Sequence, residues 1–217
     1  MADLLIINAH PKVESKDSFS LRVLEHFLKV YKKLNPLEII EQVNLYDDYI
    51  PLLDRAFLEA RGKMATGIPL KDSEQSIIDR ANELLQQFKE TKKYVIVMPL
   101  HNFNIPSKLK DYMDHVIVPR ETYKFTDKGT VGLLDDGRSL LVIQGSGSIY
   151  TNNNWYTEVE FSHKYLKAMF DFLGIKDYQI VRAQGTAILN PDELMQQAYR
   201  NVEDAAHHLS VVGIQSF

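Results

Sequence analysis

The stretch YVIVMPLHNFNIPSKLKDYMDH, residues 94 to 115, passes from one kind of secondary structure to another across a polar loop. Tyr94 to Val97 is a short apolar run with no polar alternation. That reads as a strand buried on both faces, too short to be a helix. From Ser107 to His115 the spacing is helical. A doubly buried strand followed by a helix is the repeating unit of a parallel sheet covered on both sides. Between them, Pro99 to Pro106 places His101, Asn102, Phe103 and Asn104 just past the strand's carboxyl end.

The same alternation extends in both directions. Leu4 to Ile7, Leu37 to Leu45, Leu140 to Ile143 and Tyr178 to Val181 read as four further strands. From Ser18, Leu21, Leu24, Leu28 and Tyr31 share a helical face until Asn35-Pro36. The stretch from Tyr46 to Lys71 carries Pro51, Gly62, Gly67 and Pro69 and reads as irregular, apart from a helical turn around Asp54 to Arg61. Asp72 is a candidate cap for a helix to about Lys89, with Ile77, Ile78, Ala81, Leu84, Leu85 and Phe88 inward. Glu158 to Leu173 reads as one helix. Asn190 and Pro191, as cap and first residue, open a last one to about Leu209.

Five such strands give an α/β fold, a three-layer sandwich whose parallel sheet has helices on both faces. The right-handed crossover rule leaves few arrangements, and the flavodoxin-like order 2-1-3-4-5 is the natural one. No repeat, low-complexity stretch or linker interrupts residues 1–217, so one domain is expected. In such sheets ligands bind outside the carboxyl ends of the strands. That selects the loops 9 to 18, 99 to 106 and 144 to 155.

Composition excludes several functions. With a formal net charge of -4 and no block of like charges, the chain offers no basic field for nucleic acid or anionic lipid. It has no Cys, which removes disulfides, thiolate metal sites and cysteine nucleophiles, so redox chemistry requires a cofactor. MADLLIIN has an acidic residue where a signal peptide needs basic ones, and no run approaches the ~20 apolar residues of a membrane span. A soluble cytoplasmic protein is expected. His163, His207 and His208 fall in helical stretches and read as surface residues, with no metal site.

Each selected loop has a ligand reading beside a plain one. Ser18, Phe19 and Ser20 put two hydroxyls and unpaired backbone N–H groups at the positive end of a helix, where one phosphate fits. Ser at such a position is also an ordinary N-cap. His10 offers a further donor, or is merely a polar loop residue. Without a Gly-rich pattern, a Walker loop and a dinucleotide fingerprint are ruled out. Gln144, Gly145, Ser146 and Gly147 follow a strand, and the two glycines allow positive φ and close approach to a flat ligand, as many structural turns also do. Asn102 can donate and accept to a ring with alternating carbonyls and N–H groups, while Phe103 supplies a packing surface; the alternative is a turn-forming Asn.

Pro99-Leu100-His101-Asn102-Phe103-Asn104-Ile105-Pro106, followed by Leu109-Lys110 and Asp114, resembles the flavin loop of the FMN-dependent NADH azoreductases and NAD(P)H quinone reductases. The resemblance spans nearly the whole chain, through the Ser-x-Ser loop, Phe125-Thr126, Gly129, Gly132-Leu133 and Phe172 to Ile175. It implies that Ser18, Phe19, Ser20 and His10 hold the FMN phosphate. Pro99 to Phe103 and Gln144 to Gly147 would then meet the isoalloxazine, with Asn102 stabilising charge on the reduced ring. The activity implied is ping-pong, two-electron hydride transfer from NADH (or NADPH) to quinones and azo compounds. Two departures bear on substrate preference: His101 stands where the family has Tyr, and Gly145-Ser146-Gly147-Ser148 where it commonly has Ser-Arg-Gly-Gly.

Tyr123, Phe125, Tyr150 and Phe161 are the candidate substrate-binding residues, with Trp155 and Tyr156 nearby in sequence. The segment Val116 to Gly137 reads as a cover for that site. Aromatic-rich loops on a monomer would expose a large apolar patch, so a homodimer is expected. Two rivals stand. A flavodoxin-type electron carrier shares the fold but leaves its flavin edge open. A hydrolase using His10 with Glu14 or Asp17 matches the phosphodiesterase label some members carry, but no Ser-His-Asp spacing supports it.

Overall fold

The computed structural model describes residues 2–212; Met1 and residues 213–217, which the single-domain expectation also covers, lie outside the described residues. The central sheet contains β1 (Leu4–Asn8), β2 (Ile40–Asn44), β3 (Lys93–Pro99), β6 (Ser139–Ser146) and β7 (Asp177–Gln184). They run in the order β2-β1-β3-β6-β7, every neighbouring pair parallel. That is the 2-1-3-4-5 order, with the strands β4 (Tyr123–Thr126) and β5 (Gly129–Gly132) forming a separate antiparallel hairpin.

The apolar runs explain the layers, because successive strand residues point to opposite faces. Leu4 and Ile6 join Val95, Val97, Leu141 and Ile143 against α1 (Phe19–Leu34) and α7 (Pro191–Val211). Leu5 and Ile7 join Tyr94, Ile96, Leu140 and Val142 on the other face, under α3 (Asp72–Glu90), α4 (Ser107–Val116) and α6 (Phe161–Leu173). At about 25 cal/mol per Å² of apolar surface removed from water, these two cores dominate the folding free energy.

Several boundaries differ from the sequence reading, each for a local reason. The second strand begins at Ile40 rather than Leu37, whose side chain is exposed. The turn expected around Asp54 is a full helix, α2 (Arg55–Ala65), capped by the Asp54 carboxylate accepting from Phe57 N–H at 3.0 Å. It runs through Gly62 because Phe57 and Ala60 pack on Ile78 and Ala81 of α3. Asp72 is the first residue of α3, and Lys71 occupies the cap. The helix expected over Glu158 to Leu173 is two pieces, α5 (Trp155–Val159) and α6, broken at Glu160. Among the described residues, no helix is long and apolar enough to cross a membrane.

Candidate flavin site

The loops after β1, β3 and β6 meet at the carboxyl edge of the sheet and are bonded to one another. Leu100 N–H donates to Gly145 O at 2.8 Å, which ties the loop after β3 to the end of β6. Gly145 in turn lies against the start of α1: a Cβ built on it would stand 3.2 Å from Ser20 Cβ. Ala9 N–H donates to Val97 O at 2.9 Å, joining the first loop to β3 just before the second loop. The three candidate segments are therefore one surface.

Ser18 caps α1, its hydroxyl accepting from Leu21 N–H at 3.3 Å. The plain reading of Ser18 is thus correct as far as it goes, yet the hydroxyl also lies 3.2 Å from that of Ser20, which is buried. Two hydroxyls at the positive end of a 16-residue helix form a donor set suited to a phosphate. Phe19 is half-buried beside them, with the Arg22 guanidinium 5.8 Å from its ring centre. The backbone N–H of His10 donates to Asn8 Oδ1 at 3.0 Å. Its Nδ1 lies 2.9 Å from Lys12 O and 3.0 Å from Lys12 N: protonated it donates to the carbonyl, and bare it accepts from the N–H. Burial, with the positive neighbours His101 and Lys12 adding to it against the bond to Lys12, holds the imidazole below its usual pKa.

The Asn102–Phe103 pair is the centre of a two-residue hairpin turn. His101 N–H donates to Asn104 O at 3.0 Å and Asn104 N–H to His101 O at 2.8 Å. Both central residues are left-handed, with φ of 47° at Asn102 and 66° at Phe103. Asn tolerates that region, whereas a Phe there costs roughly 1–2 kcal/mol. The turn-forming reading of Asn102 holds, and the strain at Phe103 adds a reason to look for function. Asn102 and His101 are exposed, and Pro99, Leu100 and Phe103 half-buried.

The glycines of the third loop do something other than expected. Neither Gly145 nor Gly147 adopts positive φ. Gly145 is still in strand β6, paired with Pro99 and Ala183, and its missing side chain serves the close approach to Ser20. Ser146 Oγ donates to Ser148 O at 3.0 Å, closing the loop on itself. Gln144 is the clearest correction. Its side chain is wholly buried and donates to Glu160 Oε1 at 3.1 Å and Ser162 Oγ at 2.6 Å.

Of the substrate candidates, Tyr150 and Phe161 join this surface. Phe103 packs edge-on to Tyr150, with centroids 6.4 Å apart, and to Trp155 at 5.5 Å. Tyr156 lies against both Tyr150 and Trp155. Phe161 N–H donates to Phe103 O at 2.8 Å. Tyr123 and Phe125 are elsewhere. Their hairpin packs on the far end of α6, where Tyr123 meets Phe172 at 4.9 Å and Leu134 N–H donates to Leu173 O at 2.9 Å. Since α6 runs away from the carboxyl edge, the segment 116 to 137 does not cover the three candidate loops of its own chain, and Phe125 is 74% exposed.

Sequence reasoning missed Gln184 and the cluster behind Gln144. Gln184 accepts from Tyr150 N–H at 2.9 Å and donates to Thr151 Oγ1 at 2.7 Å, anchoring the loop that carries the aromatics. His163 is half-buried rather than exposed: its Nδ1 lies 3.0 Å from the Tyr178 hydroxyl, and burial, with the Arg182 charge, depresses its pKa.

The sheet order and this convergence of loops define a doubly wound α/β protein, a fold class whose members bind ligands at the switch of strand order. The chain belongs to the flavodoxin-like fold family, whose profile matches residues 2–209. It is 61% identical over 211 residues to an FMN-dependent NADH:quinone oxidoreductase 1 of Bacillus cereus, covering 97% of this chain and 99% of that one. It is 34% identical to the FMN-dependent NADH:quinone oxidoreductase of Geobacillus kaustophilus, across 95% of this chain and 99% of that one. The crystal structure of an FMN-dependent NADH-azoreductase from Bacillus anthracis str. Ames Ancestor, in complex with FMN, matches with a TM-score of 0.94 and 60% identity over 97% of this chain and 100% of that chain.

Proposed function

We propose that the chain is an FMN-dependent NADH:quinone oxidoreductase that also reduces azo compounds. The observation that carries this reading is the bonding of three loops into one surface, with paired hydroxyls at a helix N-terminus at one side and an aromatic wall at the other. The donor set fits a ligand with one phosphate and a flat ring. When bound, FMN supplies the redox chemistry, taking two electrons from NADH and passing them to the acceptor.

The protein's own work is to bind, orient and exclude water. Ser18, Ser20 and the α1 N-terminus hold the phosphate, with His10 beside them. Asn102 and the backbone of Pro99 to Phe103 and Gly145 to Gly147 present polar groups to the ring, where fixed donors stabilise growing negative charge without reorganising. Gln144 acts from behind, by bracing Glu160. Phe103, Trp155 and Phe161 form the surface on which a flat substrate stacks, with Tyr150, itself buried, packed behind Phe103. An electron carrier has no use for such a wall, and the comparisons favour the enzyme over both the carrier and the hydrolase.

We further propose that the described residues act as one domain, that the enzyme works in the cytoplasm, where its nicotinamide donor is made, and that it is a homodimer. The dimer reading is supported by the exposed Phe125 hairpin and by the exposed apolar side chains Leu52, Leu53, Leu58 and Met64. In a dimer, Tyr123 and Phe125 would reach the site of the other protomer. The test of the cofactor is colour: the purified protein should carry a yellow chromophore that is released on denaturation and has the mass of FMN. A colourless protein that takes up no FMN would refute the reading.

A further inference from the structure

The break between α5 and α6 falls on Glu160, and nothing in the helical spacing of the surrounding residues asks for one. Its backbone, at φ -76° and ψ 89°, is outside helical values, and its side chain is almost fully buried at 3% exposure. A buried carboxylate is costly unless its oxygens are satisfied. Here Oε1 accepts from His163 N–H at 2.9 Å, Gln144 Nε2 at 3.1 Å and the Ser162 hydroxyl, while Oε2 faces Arg182 Nη2 at 3.4 Å. Burial pushes the carboxyl pKa up, and these donors outweigh it and hold the group ionised, below its usual range. A helix cap needs only one such bond. The additional partners, from β6 and β7, fix residue 160 against the sheet itself.

The next residue uses that fixed position. Phe161 opens α6, so its N–H has no acceptor within the helix. It donates instead to the carbonyl of Phe103, the second left-handed residue of the Asn102–Phe103 turn. We infer that Glu160 is a positioning residue for this turn: its buried carboxylate sets the helix break that aims the Phe161 N–H at Phe103, and so holds the loop in the shape that FMN meets. The inference rests on the reading of that loop as a flavin loop. It also gives the Arg182 and Gln144 side chains a purpose, since both bond Glu160.

The test separates the N–H of Phe161 from its ring. Phe161→Pro deletes the donor at the one helical position where proline fits, and Phe161→Ala deletes the ring but keeps the donor. Glu160→Gln removes the charge facing Arg182. FMN is titrated into each full-length apoprotein by flavin fluorescence, and amide exchange over residues 99 to 105 is followed by mass spectrometry. Phe161→Pro and Glu160→Gln should each weaken FMN binding about fivefold, the effect of one net hydrogen bond, and speed exchange in the loop. Phe161→Ala should leave loop exchange at the wild-type rate. If Phe161→Pro matches Phe161→Ala in both readouts, or if Glu160→Gln speeds exchange only in the first turn of α6, Glu160 is a helix cap and the inference fails. A wild-type protein that binds no FMN would overturn the functional reading instead, and the exchange comparison would still decide the role of Glu160.

Discussion

Gly145 lies so close to Ser20 that a Cβ on the glycine would stand 3.2 Å from the serine Cβ and 3.4 Å from its hydroxyl oxygen. The end of β6 and the start of α1 thus touch through the atom a side chain would occupy. Gly145→Ala should displace Ser20 and weaken FMN binding by about tenfold, within the ~1–3 kcal/mol cost of overpacking. Equilibrium titration with FMN checks it. Unchanged affinity would mean that Ser20 has room to yield, and that its position does not matter to the phosphate.

Replacing Ser18 and Ser20 together by Ala should weaken FMN binding by ~1–3 kcal/mol, since each hydroxyl loses a bond to a charged group. Part of any fall in thermal stability belongs to Ser18 alone, whose loss as a cap costs about 1 kcal/mol. Flavin affinity equal to wild type in the double variant would refute the phosphate assignment.

The pH dependence of binding should report His10. In the ligand-free protein, burial first and the nearby His101 and Lys12 charges next depress its pKa below 6.5. A phosphate dianion beside it favours the imidazolium, so the bound pKa lies above the free one and a proton is taken up on binding. Affinity is then highest below the free pKa, falls as pH rises through the window between the two, and is flat above the bound value. Titrations compared between wild type and His10→Gln, which isolate this from the phosphate's own ionisation, should show that fall only in wild type. Identical slopes would exclude His10 from the phosphate site.

The hairpin β4–β5 is fixed to α6 through Gly132, where a Cβ would lie 2.2 Å from the backbone carbon of Leu173. Gly132→Ala must therefore shift backbone and should destabilise the fold by ~1–3 kcal/mol. If Phe125 completes the site of a second protomer, Phe125→Ala should raise KM for quinones while leaving FMN affinity unchanged. Sedimentation at micromolar concentration should show a dimer. A fully active monomer would contradict both the dimer and that role for Phe125.

The sheet was legible because doubly buried parallel strands are unbroken apolar runs, and Leu4 to Ile7, Tyr94 to Val97 and Leu140 to Ile143 have no other stable use. The positions of the loops followed from topology alone. What the sequence concealed depends on packing. Gly62 reads as a helix breaker until Phe57 and Ala60 are seen to hold α2 against α3. Glu160 carries no break signal, because Gln144 and Arg182, its partners, are distant in sequence. The short β4–β5 hairpin did have a signal, the turn residues Asp127 to Gly129 between β-branched and aromatic positions.

At the site, residue types were more legible than their directions. Gln144 reads as facing the ligand and in fact faces inward, since strand alternation at the last residues of β6 depends on where the strand ends. Glycine suggests positive φ at Gly145 and Gly147, whereas the left-handed residues of the selected loops are Asn102, Phe103 and Asn153. A Phe in that conformation cannot be anticipated from propensity, because only the surrounding bonds impose it.

In the proposed function, Asn102, at the tip of a turn held by Phe161, stabilises the reduced flavin in an enzyme that transfers electrons in two separate halves. Mixing the purified holoenzyme with NADH in the absence of oxygen should bleach the flavin's visible band in a single turnover. Menadione, added after NAD has left, should restore the band. Asn102→Ala should slow the bleaching by about 10²-fold, the scale of one lost donor to developing charge, while weakening FMN binding far less. Equal bleaching rates in wild type and Asn102→Ala would show that Asn102 only shapes its turn, and a flavin that NADH leaves oxidised would contradict the function itself.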